Sequence, residues 1–389
     1  MRRLLSCLLL CLLPVLAQAV EAPRPKIGLV LSGGAARGLA HIGVLKALEE
    51  QGIHIDAIAG TSMGAVIGGL YASGYKIDEL EKLALSIDWQ LALSDAPPRE
   101  DVPFRRKQDD RDFLIKQKLS FRDDGSLGLP LGVIQGQNLA LLLESMFAHS
   151  SNTRDFDKLP IPFRAVATDI TSGEKVVFRK GHLPLVIRAS MSIPAVFAPV
   201  ELDGRLLVDG GMTDNIPLDV AREMGVDMAI VVDIGTPLRG RKQLATVVDV
   251  LNQSITLMTR RNSEEQLKAL HPGDVLIQPP LAAYGVTDFG RAKDMIYAGY
   301  RATRALDARM ALLRPTGSVD AELTAARTPG QRNPTITAIK VENDSKVGDD
   351  VIRYYIRQPI GEPLNLARLQ SDMGTLYGLD YFEQVQYRV

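Results

Sequence analysis

The chain has 389 residues, 46% of them hydrophobic, and a formal net charge of -1. That is enough for one large domain and a smaller one, and it speaks against a nucleic-acid binder, which shows a clear basic excess. The two cysteines, Cys7 and Cys11, both lie in the first segment, so the chain beyond it has no disulfide scaffold, cysteine nucleophile or thiolate metal site.

In chain order, Arg2 and Arg3 precede an apolar run from Leu4 to Leu16 and then Ala17-Gln18-Ala19, the pattern of a secretory signal peptide cut after Ala19. The run is shorter than the roughly 20 residues of a spanning helix, so residues 1 to 19 read as a removed leader rather than an uncut anchor. Next, Lys26 to Ser32 carries a predicted strand, Ile27-Gly28-Leu29-Val30-Leu31, that runs straight into Gly33-Gly34-Ala35-Ala36-Arg37-Gly38. Leu39, Ile42, Val44, Leu45 and Leu48 recur at roughly helical spacing up to Gly52, which stands where a left-handed C-terminal glycine is expected. A second apolar strand, Ile53 to Ala59, leads into Gly60-Thr61-Ser62-Met63-Gly64 and a helix ending near Gly74. Downstream, Phe163 to Thr168 and Ala229 to Val232 are nearly continuous apolar runs, as in strands buried on both faces. Pro217 to Met224 reads as a helix closed by Gly225, Leu244 to Leu270 as an outer helix, and Val275 to Ile277 as a last strand. Strands alternating with helices define an α/β fold over residues 20 to 313, a mostly parallel sheet flanked by helices.

Residues 314 to 334 are rich in Pro, Thr, Gly, Ala and charge and read as a linker. The tail, 335 to 389, recovers order: a strand around Ile336, Ile339 and Val341, an amphipathic helix from Leu364 to Tyr377, and an alternating strand from Phe382 to Val389. This is the plan of a small α+β domain.

Gly60-Thr61-Ser62-Met63-Gly64 matches G-x-S-x-G and joins a predicted strand to a predicted helix, the setting in which this pentapeptide lifts a serine oxygen above the sheet edge. Gly60 and Gly64 allow tight packing, and the helix N-terminus favours negative charge near that oxygen. A structural tight turn is the plain alternative. The turn from Gly33 to Gly38 offers the N–H groups of Gly33, Gly34 and Ala35 at a helix start, fit for an oxyanion or a phosphate. It lacks the Lys-Ser/Thr ending of a P-loop, and no acidic residue follows the second strand as a dinucleotide site requires, so a nucleotide-binding protein is disfavoured. Arg37 either adds a cation near the oxyanion or a lipid phosphate, or stabilises the loop from outside.

A serine nucleophile needs a base, and the five histidines, His41, His54, His149, His182 and His271, stand in no motif. His271 follows Ser62 and Asp209 in the chain order of an α/β-hydrolase triad. Its setting, Leu270-His271-Pro272-Gly273, is a helix end, where a histidine commonly meets the last carbonyls. Leu206-Leu207-Val208-Asp209-Gly210-Gly211 puts a carboxylate at the end of an apolar strand, before two glycines that permit close approach. Within reach of a serine, such a carboxylate takes the proton directly when a dry site raises its pKa. Alone, this stretch would be a β-turn aspartate.

In this order, Gly33 to Gly38, Gly60 to Gly64 and Asp209-Gly210-Gly211 resemble the oxyanion, nucleophile and dyad-aspartate motifs of patatin-like phospholipases. Ala167-Thr168-Asp169 and Ala189-Ser190-Met191-Ser192-Ile193-Pro194 resemble segments flanking that family's active site, so the resemblance covers roughly residues 26 to 310. Ala35 departs from the glycine often found there, which keeps its N–H and bears only on its φ. The resemblance implies a patatin-like α/β/α sandwich and a Ser62–Asp209 dyad without histidine, acting on ester bonds of glycerophospholipids or other acyl lipids at a membrane surface. It implies no metal and no organic cofactor. The tail, with Gly378-Leu379-Asp380-Tyr381-Phe382-Glu383-Gln384-Val385, is similar to the end of a POTRA domain. Leader, acyl hydrolase and tail together resemble the patatin-like autotransporters of Gram-negative bacteria, the PlpD-like type. That implies a periplasmic, outer-membrane or secreted location and a barrel absent from this chain, either lying beyond it or lost. The rival from another class is a non-catalytic secretion or adaptor protein whose POTRA-like tail binds partner chains by strand addition. A homo-oligomer is left open, and Leu139 to Leu143 either lines an acyl pocket or forms an ordinary core helix.

Overall fold

The structure, a computed structural model, describes residues 24–97, 132–314 and 334–389, together with the backbone at 120–121 and 127–128. The expected leader, and all of the expected linker except Arg314 and Pro334, lie outside the described residues.

Strand β1 (Ile27–Leu31) is buried along its whole length. Ile27, Leu29 and Leu31 point into one apolar cluster and Val30 into another, so the strand is covered on both faces. A 3₁₀ turn, Ala35–Leu39, leads into α1 (Ala40–Glu50). Strand β2 (Ala57–Thr61) begins later than its apolar run. The reason is Asp56, whose carboxylate takes the Ile27 N–H at 2.7 Å and the Arg24 guanidinium, which ties residues just before β2 to the foot of β1. Then come α2 (Met63–Ala72), α3 (Ile77–Ser86), α4 (Trp89–Ala92), a small pair β3 (Ser120–Phe121) and β4 (Leu127–Gly128), and α5 (Gln137–Met146). The central strand β5 (Phe163–Asp169) is followed by β6 (Lys175–Phe178), α6 (Leu183–Ser190), β7 (Val200–Leu202) and β8 (Arg205–Asp209). The domain finishes with α7 (Leu218–Glu223), β9 (Met228–Val232), α8 (Val247–Lys268), β10 (Val275–Ile277), α9 (Ala292–Arg304) and α10 (Asp307–Met310).

The main sheet runs β10-β9-β1-β2-β5-β8-β7, with β6 beside β5. Its ladders are parallel from β10 to β5 and antiparallel where β6, β7 and β8 join. The β7–β8 hairpin closes through Asp203 and Gly204, both at positive φ (52° and 72°), as a two-residue hairpin turn requires. One face carries α1, α2, α3, α5, α6 and α9, and the other carries α7 and the end of α8. This is the α/β/α sandwich expected. The α1–α9 crossing is close because a Cβ at Gly43 would strike the Ile296 carbonyl and one at Gly299 the Ala40 carbonyl. Leu139 and Leu143 of α5 are buried in the main core.

The tail departs from expectation. Its helix is present as α12 (Leu366–Gly378), capped by Asn365 and preceded by α11 (Asp349–Tyr355). The two flanking strands form no ladder among the described residues, only a single bridge between Thr335 and Pro363. Backbone groups of both stretches bond elsewhere: the Ile336 N–H donates to the Glu362 carbonyl, and the Gln137 side-chain amide accepts the Val385 N–H and donates to the Val385 carbonyl. Their apolar side chains, Ile336, Phe382, Val385 and Val389, pack around Leu369, Met373 and Leu376 of α12, in a cluster that Leu141 of α5 joins. Alternating apolar residues need one buried side, and a helix supplies it as well as a sheet does.

Candidate active site

The register of β5 brings two distant segments together. Thr61, the last residue of β2, pairs with Val166, and Asp209, the last residue of β8, pairs with the next residue, Ala167. Since β6 occupies the opposite side of β5 along Ala165 to Thr168, β2 and β8 must lie on the same side and meet end to end. Ser62 follows β2 directly, and its Oγ donates to Asp209 Oδ2 at 2.6 Å.

Ser62 sits at φ 53° and ψ −123°, left-handed backbone that a serine rarely adopts, between β2 and α2. The elbow is held by packing that admits no side chain. A Cβ at Gly64 would strike the Leu31 carbonyl, and one at Gly60 would lie 2.6 Å from the Gly64 carbonyl. The Ser62 carbonyl accepts from the N–H groups of Ala65 and Val66, starting α2.

Asp209 is buried, and burial raises its carboxyl pKa to about 6, against the opposing hydrogen bonds from Ser62 and the Gly211 N–H. Its Oδ1 takes the Gly211 N–H at 2.8 Å, so Oδ2 alone faces the serine. A Cβ at Gly210 would strike the Val166 carbonyl, so this glycine lets β8 seat against β5. Asn262 of α8 steadies the turn by donating to the Gly211 and Met212 carbonyls.

The glycine turn lies against the serine: a Cβ at Gly33 would sit 3.0 Å from Ser62 Cβ. The Gly33 N–H is already engaged with the Asn215 carbonyl at 3.3 Å, so it is not a free donor. Gly34 and Ala35 have no such acceptor among the described residues. Ala35 holds φ 49°, the left-handed region a glycine would take without strain. The Ala36 N–H is used by the Val286 carbonyl. Gly38 packs on Met63, where a Cβ would collide with its side chain. Arg37 is buried and donates to the Gly235 carbonyl at 2.6 Å, which braces the loop after β9. Burial lowers its pKa, with Asp233 opposing.

No histidine is hydrogen-bonded to Ser62 among the described residues. His41 is buried on α1, its Nε2 bonded to the Ser32 carbonyl at 2.8 Å, and burial pulls its pKa down to about 4. His271 precedes β10, which runs parallel to β9, β1 and β2, so it stands beyond the opposite edge of the sheet from Ser62. Its N–H bonds Asp274 Oδ2. Among the described residues, no group of three or more His, Cys, Asp or Glu side chains is placed to hold a metal ion.

Sequence reasoning passed over Ser190, Ser192, Arg188, Asn215 and Asn262 as site residues. The Ser190 hydroxyl accepts the Ser62 N–H at 2.9 Å, and the Ser192 carbonyl accepts the Asp209 N–H at 2.9 Å. The signal for Ser190 and Ser192 is the segment from Ala189 to Pro194 itself, whose two serines stand among apolar residues.

A serine in a strained elbow, bonded to a desolvated carboxylate, is the arrangement a serine hydrolase requires of its centre. The patatin-like phospholipase family matches residues 29–222, a span that holds Ser62, Asp209 and the glycine turn. This domain belongs to the patatin-like phospholipase family, and phospholipases are lipid ester hydrolases. An uncharacterized NTE family protein of Mycobacterium tuberculosis is 35% identical over 210 residues, covering 54% of this chain and 49% of the relative. Lysophospholipase NTE1 of Kluyveromyces lactis is 30% identical over 303 residues, covering 70% of this chain and 18% of the relative. The chain thus spans about half the length, or less, of these curated relatives. The solved structure of VipD from Legionella pneumophila aligns at 19% identity with a TM-score of 0.42, covering 74% of this chain and 67% of that one.

Proposed function

We propose that this protein is an exported serine lipid-acyl hydrolase working through a Ser62–Asp209 dyad. The reading rests on one observation above others, the 2.6 Å bond from Ser62 Oγ to a buried carboxylate whose pKa is raised to about 6. As Ser62 Oγ attacks the acyl carbonyl, its proton passes to Asp209 Oδ2, and the N–H groups of Gly34 and Ala35 receive the oxyanion. Collapse breaks the ester bond, and the leaving alcohol takes the proton back from Asp209. Water, deprotonated by Asp209, then attacks the acyl-enzyme, releasing the fatty acid and returning the proton to Ser62. Arg37 acts in this reading as a brace for the glycine turn.

The substrates are acyl esters of glycerophospholipids and of lysophospholipids met at a membrane surface. A relative named as a lysophospholipase supports including the second class. Export to the periplasm, outer membrane or medium of a Gram-negative cell rests on Arg2, Arg3 and the apolar run to Leu16. The POTRA-like reading of the tail rests on its helix and on the Gly378 to Val385 motif. The test is lipid profiling: purified wild type and Ser62→Ala are incubated with mixed phospholipid and lysophospholipid vesicles, and released fatty acids are measured. Equal release by both proteins would end the proposal.

A further inference from the structure

Both members of the dyad are gripped by one short segment, the end of α6 and the turn after it. Ser190 is fully buried, and its hydroxyl uses both its capacities: it accepts the Ser62 N–H at 2.9 Å and donates to the Val166 carbonyl at 2.6 Å. Two residues on, the Ser192 carbonyl accepts the Asp209 N–H. Val166 is the β5 residue opposite Thr61, and Ala167 is the one opposite Asp209. Ser190 is therefore anchored where β2 and β8 abut. Arg188 stiffens the segment from within. Its guanidinium, buried and with its pKa brought down to about 10 by that burial, donates to Ser192 Oγ at 2.6 Å and to the Gln135 carbonyl at 2.9 Å. Ser192 Oγ returns a bond to the Arg188 carbonyl.

The Ser62 N–H has no ladder partner to fall back on at this point of the chain, because the strand has ended and the backbone has turned left-handed. An elbow in that conformation persists only where its surroundings over-determine it. We propose that Ser190 is a positioning residue for the acylation step: its hydroxyl fixes the Ser62 amide and thereby the backbone that aims Ser62 Oγ at Asp209 Oδ2. This rests on the dyad reading given above. Ser190 touches no reacting atom, so its removal leaves substrate binding intact and misplaces the nucleophile.

The experiment compares full-chain wild type, Ser62→Ala, Ser190→Ala, Ser190→Thr, Ser190→Cys and Ser73→Ala. The last removes a buried hydroxyl that donates to the Leu70 carbonyl at the far end of α2. Labelling by a fluorophosphonate, kcat and KM on a short-chain ester, and thermal melts are measured for each. The expected result for Ser190→Ala is a labelling rate and kcat reduced about 100-fold, the scale of a misplacement near 1 Å, with KM near the wild-type value. Ser190→Thr keeps the hydroxyl and recovers most of the rate, while Ser73→Ala labels like wild type. Should Ser190→Ala fail to fold, Ser190→Cys, close in volume and a poor acceptor, takes its place with the same expected loss. Wild-type labelling by a folded Ser190→Ala or Ser190→Cys overturns the proposal, as does a folded Ser190→Thr that stays slow. Failure of the dyad reading is distinguishable: it appears as absent labelling of wild type, or as labelling of Ser62→Ala at the wild-type rate.

Discussion

Asp209→Asn separates what the carboxylate does for the reaction from what it does to the fold. Burial raises the Asp209 pKa from 3.8 to about 6, so the native state holds its proton more tightly than the unfolded chain does. The sign follows. The stability this group contributes is full below about pH 3.8 and is lost as pH rises through about 6, because the native state must then keep a carboxylate ionised without water. At about 1.4 kcal/mol for each factor of ten in proton affinity, the cost in the ionised plateau is about 3 kcal/mol. Asparagine is neutral at every pH and keeps nearly the same volume. With Oδ1 still on the Gly211 N–H, its Nδ2 can donate to Ser62 Oγ, so the side chain keeps a hydrogen bond to the serine with the direction reversed. Denaturant melts at pH 5 and pH 8 test this. The variant is expected to gain about 3 kcal/mol over wild type at pH 8 and roughly half of that at pH 5, where only part of the ionisation cost has appeared. Its ester hydrolysis should fall by about 100- to 10,000-fold, the contribution of a general base. Wild-type kcat/KM should itself decline as pH falls through about 6, where Asp209 takes up its proton. A stability gain that is the same at both pH values, or an asparagine variant that still turns over, would refute the assignment of Asp209 as a desolvated base.

Three further outcomes are expected. His41→Ala and His271→Ala should keep most of the ester turnover in the assay in which Ser62→Ala is dead, because one imidazole is bonded to Ser32 and the other precedes β10 at the far sheet edge; a folded but inactive His271→Ala would instead call for a triad. Gly34→Val should slow fluorophosphonate labelling by about 100- to 1,000-fold, since its extended φ of 168° suits any residue and the harm lies in crowding, with a Cβ 2.8 Å from Ile234. Cutting the chain near Pro334 should leave a folded, active domain with a lower melting temperature, because it bares Leu141, whose burial is worth about 2 kcal/mol; total loss of activity with an intact fold would show that the tail shapes the site.

The parts of the site legible in the sequence were those whose chemistry is local. A strand, a glycine-framed serine and a helix in succession define an elbow by short-range sterics, and Gly33 to Gly38 define a turn rich in N–H groups. Pairing Ser62 with Asp209 was different. It depends on β8 entering antiparallel and stopping one residue past the end of β2 along β5, a property of sheet order that the spacing of apolar residues does not encode. The link was suggested by family resemblance rather than by periodicity. The occupied Gly33 N–H was hidden for the same reason, since its acceptor, Asn215, lies in the loop before α7. The tail strands failed on another ground. Alternation in Phe382 to Val389 reports a buried side, not a ladder, and here α12 provides that side while Gln137 satisfies the Val385 backbone.

The Asp209-Gly210-Gly211 motif can now be understood as three tasks on consecutive residues. A carboxylate used as the sole base has to come within direct reach of the serine, stay dry enough to be more basic than an ordinary aspartate, and present one oxygen for the proton. Gly210 meets the first demand, because only a residue without Cβ lets β8 press on the Val166 carbonyl, which sets Asp209 opposite Ala167 and beside Ser62. Burial meets the second, at a cost to stability that grows with pH. The Gly211 N–H meets the third by occupying Oδ1, so that Oδ2 is the oxygen left for the Ser62 proton. A histidine would need room for a ring and a further acceptor to orient it, and the end-to-end meeting of β2 and β8 leaves a gap of one hydrogen bond. On the dyad reading proposed above, the direct bond that leaves no room for a ring between Ser62 and Asp209 is the same feature that would make the carboxylate a competent base.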